Sequence, residues 1–235
     1  MKRFYKTVAV SEANGGFVVT LDGRPVRTPG NLAFAVPHRA LAEAVADEWR
    51  RQGETVDLPA MALSRFANTA IDRVAGRRAE VIRQVAAFGG CDLVCYRAGY
   101  PPELIERQSS CWDPLLDWLA GSHGARLATT TAIAPRRQAG DTLPALTSAV
   151  AAFDDFPLTA LHMASVASGS VVIALALAAE RIDAEEAWTA ALVDELFQAE
   201  RWGEDPEARR RREAVRVDLE AAERFFALCR AEAAA

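Results

Sequence analysis

Residues 17–50 read FVVTLDGRPVRTPGNLAFAVPHRALAEAVADEWR, and the spacing of the apolar residues changes within this stretch. Up to Pro37 the apolar and β-branched residues form short runs, and Asp22-Gly23 between two of them is a strong signal for a two-residue hairpin turn. From Pro37 to Trp49 the apolar residues recur every three or four positions, as they do along one face of a helix. The stretch therefore predicts an antiparallel sheet that leads directly into a helix.

The residues on either side of this hairpin continue the sheet pattern. Residues 4–10 predict a strand, and Asn14-Gly15-Gly16 predict the turn that follows it. Residues 25–28 and 32–36 are two further short extended segments around a Pro-Gly-Asn turn. The first part of the chain is therefore predicted to be a β-meander.

Helical periods replace the strand pattern after Trp49. Residues 61–74 and 79–88 each place apolar side chains on one face, and residues 92–97 predict a short strand that rejoins the sheet. The sequence AGYPP at residues 98–102 has the composition of a linker. We therefore predict that a small N-terminal α+β domain spans residues 1–98.

Residues 99–235 are predicted to form a larger, all-helical bundle domain. Asp113-Pro114 has the order of an N-cap followed by proline at the first helical position, which predicts that a helix starts there. Two long amphipathic helices are predicted over residues 183–201 and from Pro206 to about residue 231. The predicted fold class is α+β, with an antiparallel sheet plus helices first and the helical bundle second.

One segment of the second half is unusually apolar. Residues 158–179 contain no formally charged residue, a length that could span a bilayer. Acids precede the segment and Glu180 and Arg181 follow it, so it has no basic side that would set a membrane orientation. We therefore expect a central helix enclosed by other helices and no membrane insertion.

Composition excludes several classes of function. The 235 residues carry a net charge of −5 and a sequence pI near 5.4, which leaves no excess of positive charge for binding nucleic acid. Cys91, Cys95, Cys111 and His123 do not have the spacing of a zinc site, and no glycine-rich phosphate loop or nucleophile elbow occurs. We expect no metal, no cofactor and no small-molecule substrate.

Residues 188–206, WTAALVDELFQAERWGEDP, contain the best candidate for a functional site. In a continuous helix, Glu195 would lie among apolar residues of one face, where a carboxylate needs a partner or a function. The other members of that face would be Trp188, Ala191, Leu192, Ala199 and Trp202. An intramolecular arginine is one explanation for this acid and a role in binding is the other.

The WGEDP corner after this helix divides into two kinds of residue. Gly203 suits the end of one helix, and Asp205 and Pro206 suit the N-cap and first residue of the next. Trp202 and Glu204 have no such explanation. A large aromatic beside acids is typical of a protein-binding hot spot and also of an ordinary helix corner.

Eight segments together resemble one family, the assembly chaperones that act on the alpha subunit of the ATP synthase catalytic head, known in mitochondria as assembly factor 2. In chain order they are RFYK (3–6), LDGRPVRTP (21–29), DEW (47–49), SRFANTAIDR (64–73), DLVCYRA (92–98), WDPLLDW (112–118), DELFQ (194–198) and WGED (202–205). Each is weak alone, but the ordered set is specific and covers nearly the whole chain.

This resemblance implies a two-domain α+β protein without enzyme activity. It implies that the chain holds an unassembled alpha subunit by the surface that later meets the beta subunit. Relatives in eukaryotes act in the mitochondrial matrix; this chain lacks a presequence-like start, so we expect a bacterial cytosolic protein. We also expect a monomer.

The resemblance implies functional importance for Glu195 most directly and for Trp49 less directly. We therefore predict partner binding by Glu195, Trp202, Glu204 and Asp205, and structural roles for Trp49, Gly203 and Pro206. Trp49 shares the inner face of its helix, so that replacing it with arginine would bury an unpaired charge. Two alternatives stay open: a metal-independent enzyme with Glu195 as general base, and an adaptor for another client protein.

Overall fold

The computed structural model describes residues 1–13, 15–134 and 136–230. Asn14 of the first predicted turn and the predicted end of the last helix at residue 231 lie outside the described residues. Contacts divide the chain into two compact units. The first contains Met1–Arg78, Asp155–Ala160 and the described residues from Arg224 onward, and the second contains Ala79–Asp154 and Leu161–Glu223.

The two units are therefore assembled from separate pieces of the chain. Residues 79–98, which precede the predicted linker, belong to the second unit in this division. The domain boundary predicted at residue 98 concerns independent folding, and it stays a prediction.

The first unit contains a small antiparallel sheet, as the sequence predicts. Its strands are β1 (Val8–Ala13), β2 (Gly16–Leu21), β3 (Arg24–Pro25) and β4 (Ala35–Val36). Strand β2 pairs with β1 from Val8 opposite Leu21 to Ala13 opposite Gly16, and it also pairs with β3 and β4. Asp22 and Gly23 both have positive φ, 49° and 77°, which is the conformation of the predicted two-residue hairpin turn.

Two helices complete the first part of this unit. Helix α1 (Arg39–Arg50) packs on β1 and β2 with Leu41 and Val45 fully buried. Helix α2 (Ala62–Thr69) continues into a π-helical turn (Ala70–Val74), so the helix predicted over residues 61–74 is confirmed with a wider last turn. Burial of apolar side chains on one face of each helix is the main force that holds them on the sheet.

Aromatic residues from distant parts of the chain close the core of the first unit. Phe66 lies 5.6 Å from Phe225 between ring centroids, and Phe156 stacks on Phe225 at 6.4 Å. Phe225 belongs to the last helix of the chain, α10 (Pro206–Arg230). The first unit is therefore completed by residues that come last in the sequence.

The second unit is helical. Its helices α3 to α9 are α3 (Arg78–Ala87), α4 (Pro102–His123), α5 (Thr142–Ala151), α6 (Asp155–Ser168), α7 (Val171–Ala178), α8 (Ala184–Ala191) and α9 (Val193–Trp202), with the ends of α3 and α6 crossing the division between units. All residues of α7 are buried, as expected for a helix that is apolar on every side.

The apolar segment is two helices and not one central helix. Gly169 adopts a left-handed conformation with φ of 70°, which ends α6, and the Ser170 hydroxyl caps α7 by accepting a hydrogen bond from the Ile173 amide. Within the described residues, no helix is both long and apolar enough to cross a membrane.

Two local predictions in the second unit are wrong. Residues 92–97 form a 3₁₀ turn (Leu93–Cys95) and not a strand of the N-terminal sheet, and Tyr96 makes only an isolated bridge with Thr130. Pro114 lies inside α4 and not at its start, because Pro102 occupies the first position of that helix. Trp112 and Leu115 on either side of Pro114 are buried, and their packing outweighs the missing amide donor.

Candidate functional site

The helix predicted over residues 183–201 is broken at Leu192. Asp183 and Glu186 form the expected capping box at the start of α8, but Leu192 has φ of −120° and ψ of 17°, and α9 begins at Val193. Leu192 and Val193 are both buried, so side-chain packing favours the change of direction. Trp188 and Glu195 therefore lie on different helices, and the continuous apolar face inferred from the sequence does not exist.

The break frees a main-chain carbonyl, which a side chain of α4 binds. The Ala190 carbonyl would accept from residue 194 in a continuous helix, and here it accepts from the Trp112 indole at 2.8 Å. Asp194 accepts a hydrogen bond from the Gln108 side chain at 2.7 Å, and Gln108 accepts one from the Ala98 amide. The first acid of the DELFQ segment is thus engaged in holding α9 to α4.

Glu195 lies at the edge of the core and is paired with arginines of α10. Its side chain is one-third exposed (33%), and Oε2 lies 2.9 Å from Arg211 and 4.0 Å from Arg212. Only Val193 and Phe197 of α9 are buried. Glu195 Oε2 itself is buried, and the structure supports the arginine pairing, which is the simpler of the two explanations.

Arg212 is the centre of the corner between α9 and α10. Its side chain is only 6% exposed, and one guanidinium nitrogen lies 2.5 Å from Glu204 Oε1. Its carbonyl accepts a hydrogen bond from the Trp188 indole at 2.9 Å. A buried guanidinium requires paired acids, and Arg212 therefore fixes Glu204 and Glu195 relative to each other.

The WGED segment presents one large apolar side chain to solvent. Trp202 is 76% exposed, and Gly203, with φ of 90°, ends α9 behind it. Asp205 caps α10 by accepting from the Ala208 amide at 2.8 Å, and Pro206 is the first residue of that helix, as predicted. Trp202, Glu204 and Glu195 are thus gathered at one corner, whereas the Asp205 carboxylate is engaged in the cap.

Trp49 of the first unit is half-buried on the inner side of α1. Its ring meets Tyr5 edge to face at 5.5 Å, and its carbonyl accepts a hydrogen bond from the Tyr5 hydroxyl at 2.7 Å. It also packs on the cluster of Tyr5, Leu21, Val56 and Met61. The structural role expected of Trp49 has these contacts in its favour and stays a prediction.

Sequence reasoning missed two acids that are more deeply buried than Glu195. Glu48 accepts hydrogen bonds from the Leu63 and Ser64 amides and the Ser64 hydroxyl, at 2.7 to 2.8 Å, and so caps α2. Asp92 has no exposed surface and accepts from the Val171 amide at 2.8 Å. Burial raises the pKa of Asp92 to about 6.

The geometry offers little to catalysis around these residues. A general base needs a lone pair directed at a substrate proton, but the Glu195 carboxylate faces two guanidinium groups. No group of three His, Cys, Asp or Glu side chains in the part of the chain that the structure describes is arranged to hold a metal ion. Burial raises the pKa of the Cys95 and Cys229 thiols to about 12, so neither is a thiolate at neutral pH.

Comparisons with known proteins give one consistent result. The model of the ATP12 chaperone protein family matches residues 2–120. The mitochondrial protein atp12 of Schizosaccharomyces pombe is 23% identical over 214 residues, covering 86% of this chain and 74% of that protein.

Two solved structures are similar over nearly the whole chain. The crystal structure of Atp12 from Paracoccus denitrificans is 41% identical, with a TM-score of 0.91 and 97% of each chain covered. The Atu1473 protein from Agrobacterium tumefaciens is 40% identical, with a TM-score of 0.93, and the match covers 97% of this chain and 86% of that one.

Proposed function

Because this chain belongs to the ATP12 chaperone family, which acts in ATP synthase assembly, we propose that it binds the unassembled alpha subunit of the catalytic head. In this proposal the chaperone covers the surface of the alpha subunit that later meets the beta subunit. Binding needs no nucleotide, and a bacterial cytosol is the proposed place of action.

The observation that carries the proposal for the site is the exposure of Trp202 beside paired acids. An indole that is 76% exposed costs free energy in a free protein, and its burial against a client regains that energy. Arg212 holds Glu195 and Glu204 close to Trp202, so the corner combines an apolar anchor with two carboxylates in fixed positions. Such a combination suits a client surface with an apolar pocket and basic residues around it.

A second observation that supports the proposed site is that the arginine paired with Glu195 can be exchanged for another cation. This partner, Arg211, is 67% exposed, so the cation of that ion pair is open to water although Glu195 Oε2 is buried, and the pair contributes little to folding. A basic residue of the client can therefore replace Arg211 without disrupting the core. Release by the beta subunit then requires only that alpha and beta bind each other more tightly than alpha binds this corner.

The first experiment measures binding of the purified chain to isolated alpha subunit, with mass determination of the complex. We expect one chaperone monomer with one alpha subunit, and displacement of the chaperone when beta is added. Trp202→Ala is expected to weaken binding about tenfold or more, in line with loss of a hot-spot aromatic. Tyr100→Ala is the matched control, because Tyr100 is 81% exposed but lies outside the corner.

The second experiment reverses the charge at Glu195. Glu195→Lys places a cation against Arg211 and Arg212, so we expect a folded protein that no longer binds alpha. Glu185→Lys is the control, since Glu185 forms a similar pair with Arg216 at 2.8 Å on the neighbouring helix. Equal binding by the two folded variants would exclude the corner as the site.

A pull-down from host lysate separates this proposal from the adaptor alternative. We expect alpha to be the main protein retained by the native chain and lost with Glu195→Lys. Retention of an unrelated protein, with no alpha, would favour the adaptor.

A further inference from the structure

A second surface of the molecule also combines exposed aromatic and charged residues. It is a groove of about 580 Å³ in the first unit, and we call it the hairpin groove because the β2–β3 hairpin forms one wall. Its floor contains Tyr5, Leu21 and Trp49, which belong to or pack on the apolar cluster of that unit. The floor is therefore rigid and apolar.

Phe4 makes this groove unusual. It is 63% exposed, although its ring meets Tyr5 edge to face at 5.4 Å, and Tyr5 meets Trp49 in the same way at 5.5 Å. The three rings form a continuous aromatic surface with the outermost ring in solvent. Aromatic side chains held in this way offer large contact area at low cost in side-chain entropy.

The charged residues at the groove are not balanced. Among the described residues that line it, Asp22 is the only acid, and its carboxylate already accepts hydrogen bonds from the Lys6 and Thr7 amides and the Thr7 hydroxyl, at 2.8 to 3.2 Å. These bonds, with that of the Thr7 amide the largest cause, lower the pKa of Asp22, and they fix it as part of the hairpin turn.

Two arginines on the same wall are available to a partner. Among the described residues, no carboxylate pairs with Arg24, and Arg27 donates only to the Asn31 carbonyl at 2.9 Å. Both are exposed, and the exposed Lys6 follows Tyr5 in the chain. The groove therefore has an apolar floor and a basic rim, which is complementary to an apolar side chain flanked by carboxylates.

We propose that the hairpin groove binds a short segment of the client polypeptide that carries an aromatic or large aliphatic residue flanked by acids. The volume suits one large side chain with its neighbours. The groove has arginines beside its exposed aromatic residue, whereas the α9–α10 corner has acids beside Trp202. Identification of the client as the alpha subunit rests on the proposed function, but the chemistry of the segment does not.

The direct test uses synthetic peptides and the full chain. One peptide has a phenylalanine between glutamates, and the other has lysines in place of the glutamates. The indole NMR signal of Trp49, assigned with Trp49→Phe, is expected to shift on titration with the acidic peptide and to stay unchanged with the basic one. Absence of a shift with either peptide, or equal shifts with both, would overturn the inference.

Substitutions at the groove give the second readout. Phe4→Ala and Arg24→Glu are each expected to weaken binding of the acidic peptide about tenfold. Arg77→Glu is the matched control for charge, because Arg77 is exposed in the same unit and does not line the groove. Equal weakening by Arg77→Glu would show that net charge and not the groove accounts for binding.

Binding to isolated alpha subunit separates this inference from the proposed function. If the groove inference and the proposed function are both correct, Phe4→Ala and Trp202→Ala each weaken binding to alpha. If the native chain binds the acidic peptide but not alpha, the groove stands and the proposed client is wrong. If Phe4→Ala and Arg24→Glu bind alpha and the acidic peptide as tightly as the native chain, the groove inference is wrong and the proposed function stands.

Discussion

Two regions of the second unit hold acids in opposite ways. At the start of α7, Asp92 is fully buried and accepts hydrogen bonds from the main-chain amides of Val94 and Val171. At the α9–α10 corner, Glu195 and Glu204 are partly exposed and pair with arginine side chains. Main-chain amides cannot be exchanged without unfolding, whereas an exposed guanidinium can be replaced by another cation. The first arrangement therefore suits structure, and the second suits binding.

Removal of the buried Asp92 carboxylate is expected to have the largest effect on stability. Asp92→Ala leaves the amides of Val94 and Val171 buried without an acceptor, and we expect the free energy of unfolding to fall by about 3 kcal/mol. Urea unfolding measures this value. The control, Asp117→Ala on the exposed side of α4, is expected to change it by less than about 0.5 kcal/mol. Similar losses in both variants would remove the distinction between the two regions.

The pH dependence of stability also tests the difference between the buried Asp92 and the acids of the α9–α10 corner. The pKa of Asp92 is raised to about 6 in the folded protein from an ordinary value of 3.8, so the folded state binds a proton more tightly than the unfolded state. The proton-linked part of the contribution of Asp92 to stability is therefore fully present below about pH 4 and is lost as the pH rises through 6. We expect the difference in unfolding free energy between native protein and Asp92→Asn to decrease across this window. If the difference in unfolding free energy does not change with pH, the raised pKa of Asp92 is contradicted.

A smaller effect is expected at the centre of the corner. Arg212→Met keeps much of the buried side-chain volume but removes the pairs with Glu204 and Glu195, and we expect a loss of about 1–2 kcal/mol in unfolding free energy. Arg210→Met is the control, since Arg210 is exposed on the same helix. Client affinity should fall with Arg212→Met and stay unchanged with Arg210→Met. Loss of stability without loss of affinity would make Arg212 purely structural.

The smallest effect on stability is expected for Glu195, the acid to which we assign the main role in binding. Glu195→Gln removes charge from a side chain that is one-third exposed, so unfolding free energy should change by less than about 1 kcal/mol. Affinity for alpha should nevertheless fall, because the glutamine cannot pair with a client cation. Calorimetric titration and urea unfolding on one preparation test both statements. A stability loss as large as that of Asp92→Ala would place Glu195 with the structural acids.

Local signals in the sequence predict those parts of the fold that depend on neighbouring residues. Asp22-Gly23 forms the predicted turn, and Gly203, Asp205 and Pro206 form the predicted corner, because each requires only a local backbone conformation. The α+β class follows from the change of apolar spacing near Pro37 and is also correct.

Features that depend on distant residues were not predictable in this way. Leu192 carries no glycine or proline signal, and the helix breaks there because Leu192 and Val193 are buried. Asp92 meets Val171 across 79 positions in the chain, a contact that no local pattern shows. The exposure of Glu195 likewise depends on arginines of another helix. The environment of Glu195 was therefore not predictable from the sequence, and a binding role for this corner stays a prediction.

The aromatic contacts of Phe225 have a consequence for synthesis of the chain on the ribosome. Phe66 belongs to the first unit and is translated long before Phe225, whose ring it contacts. Domains normally fold in the order in which they emerge. Here the nascent first unit has an unfilled aromatic core until Phe225 has been translated, so this chaperone is itself exposed to aggregation during its own synthesis.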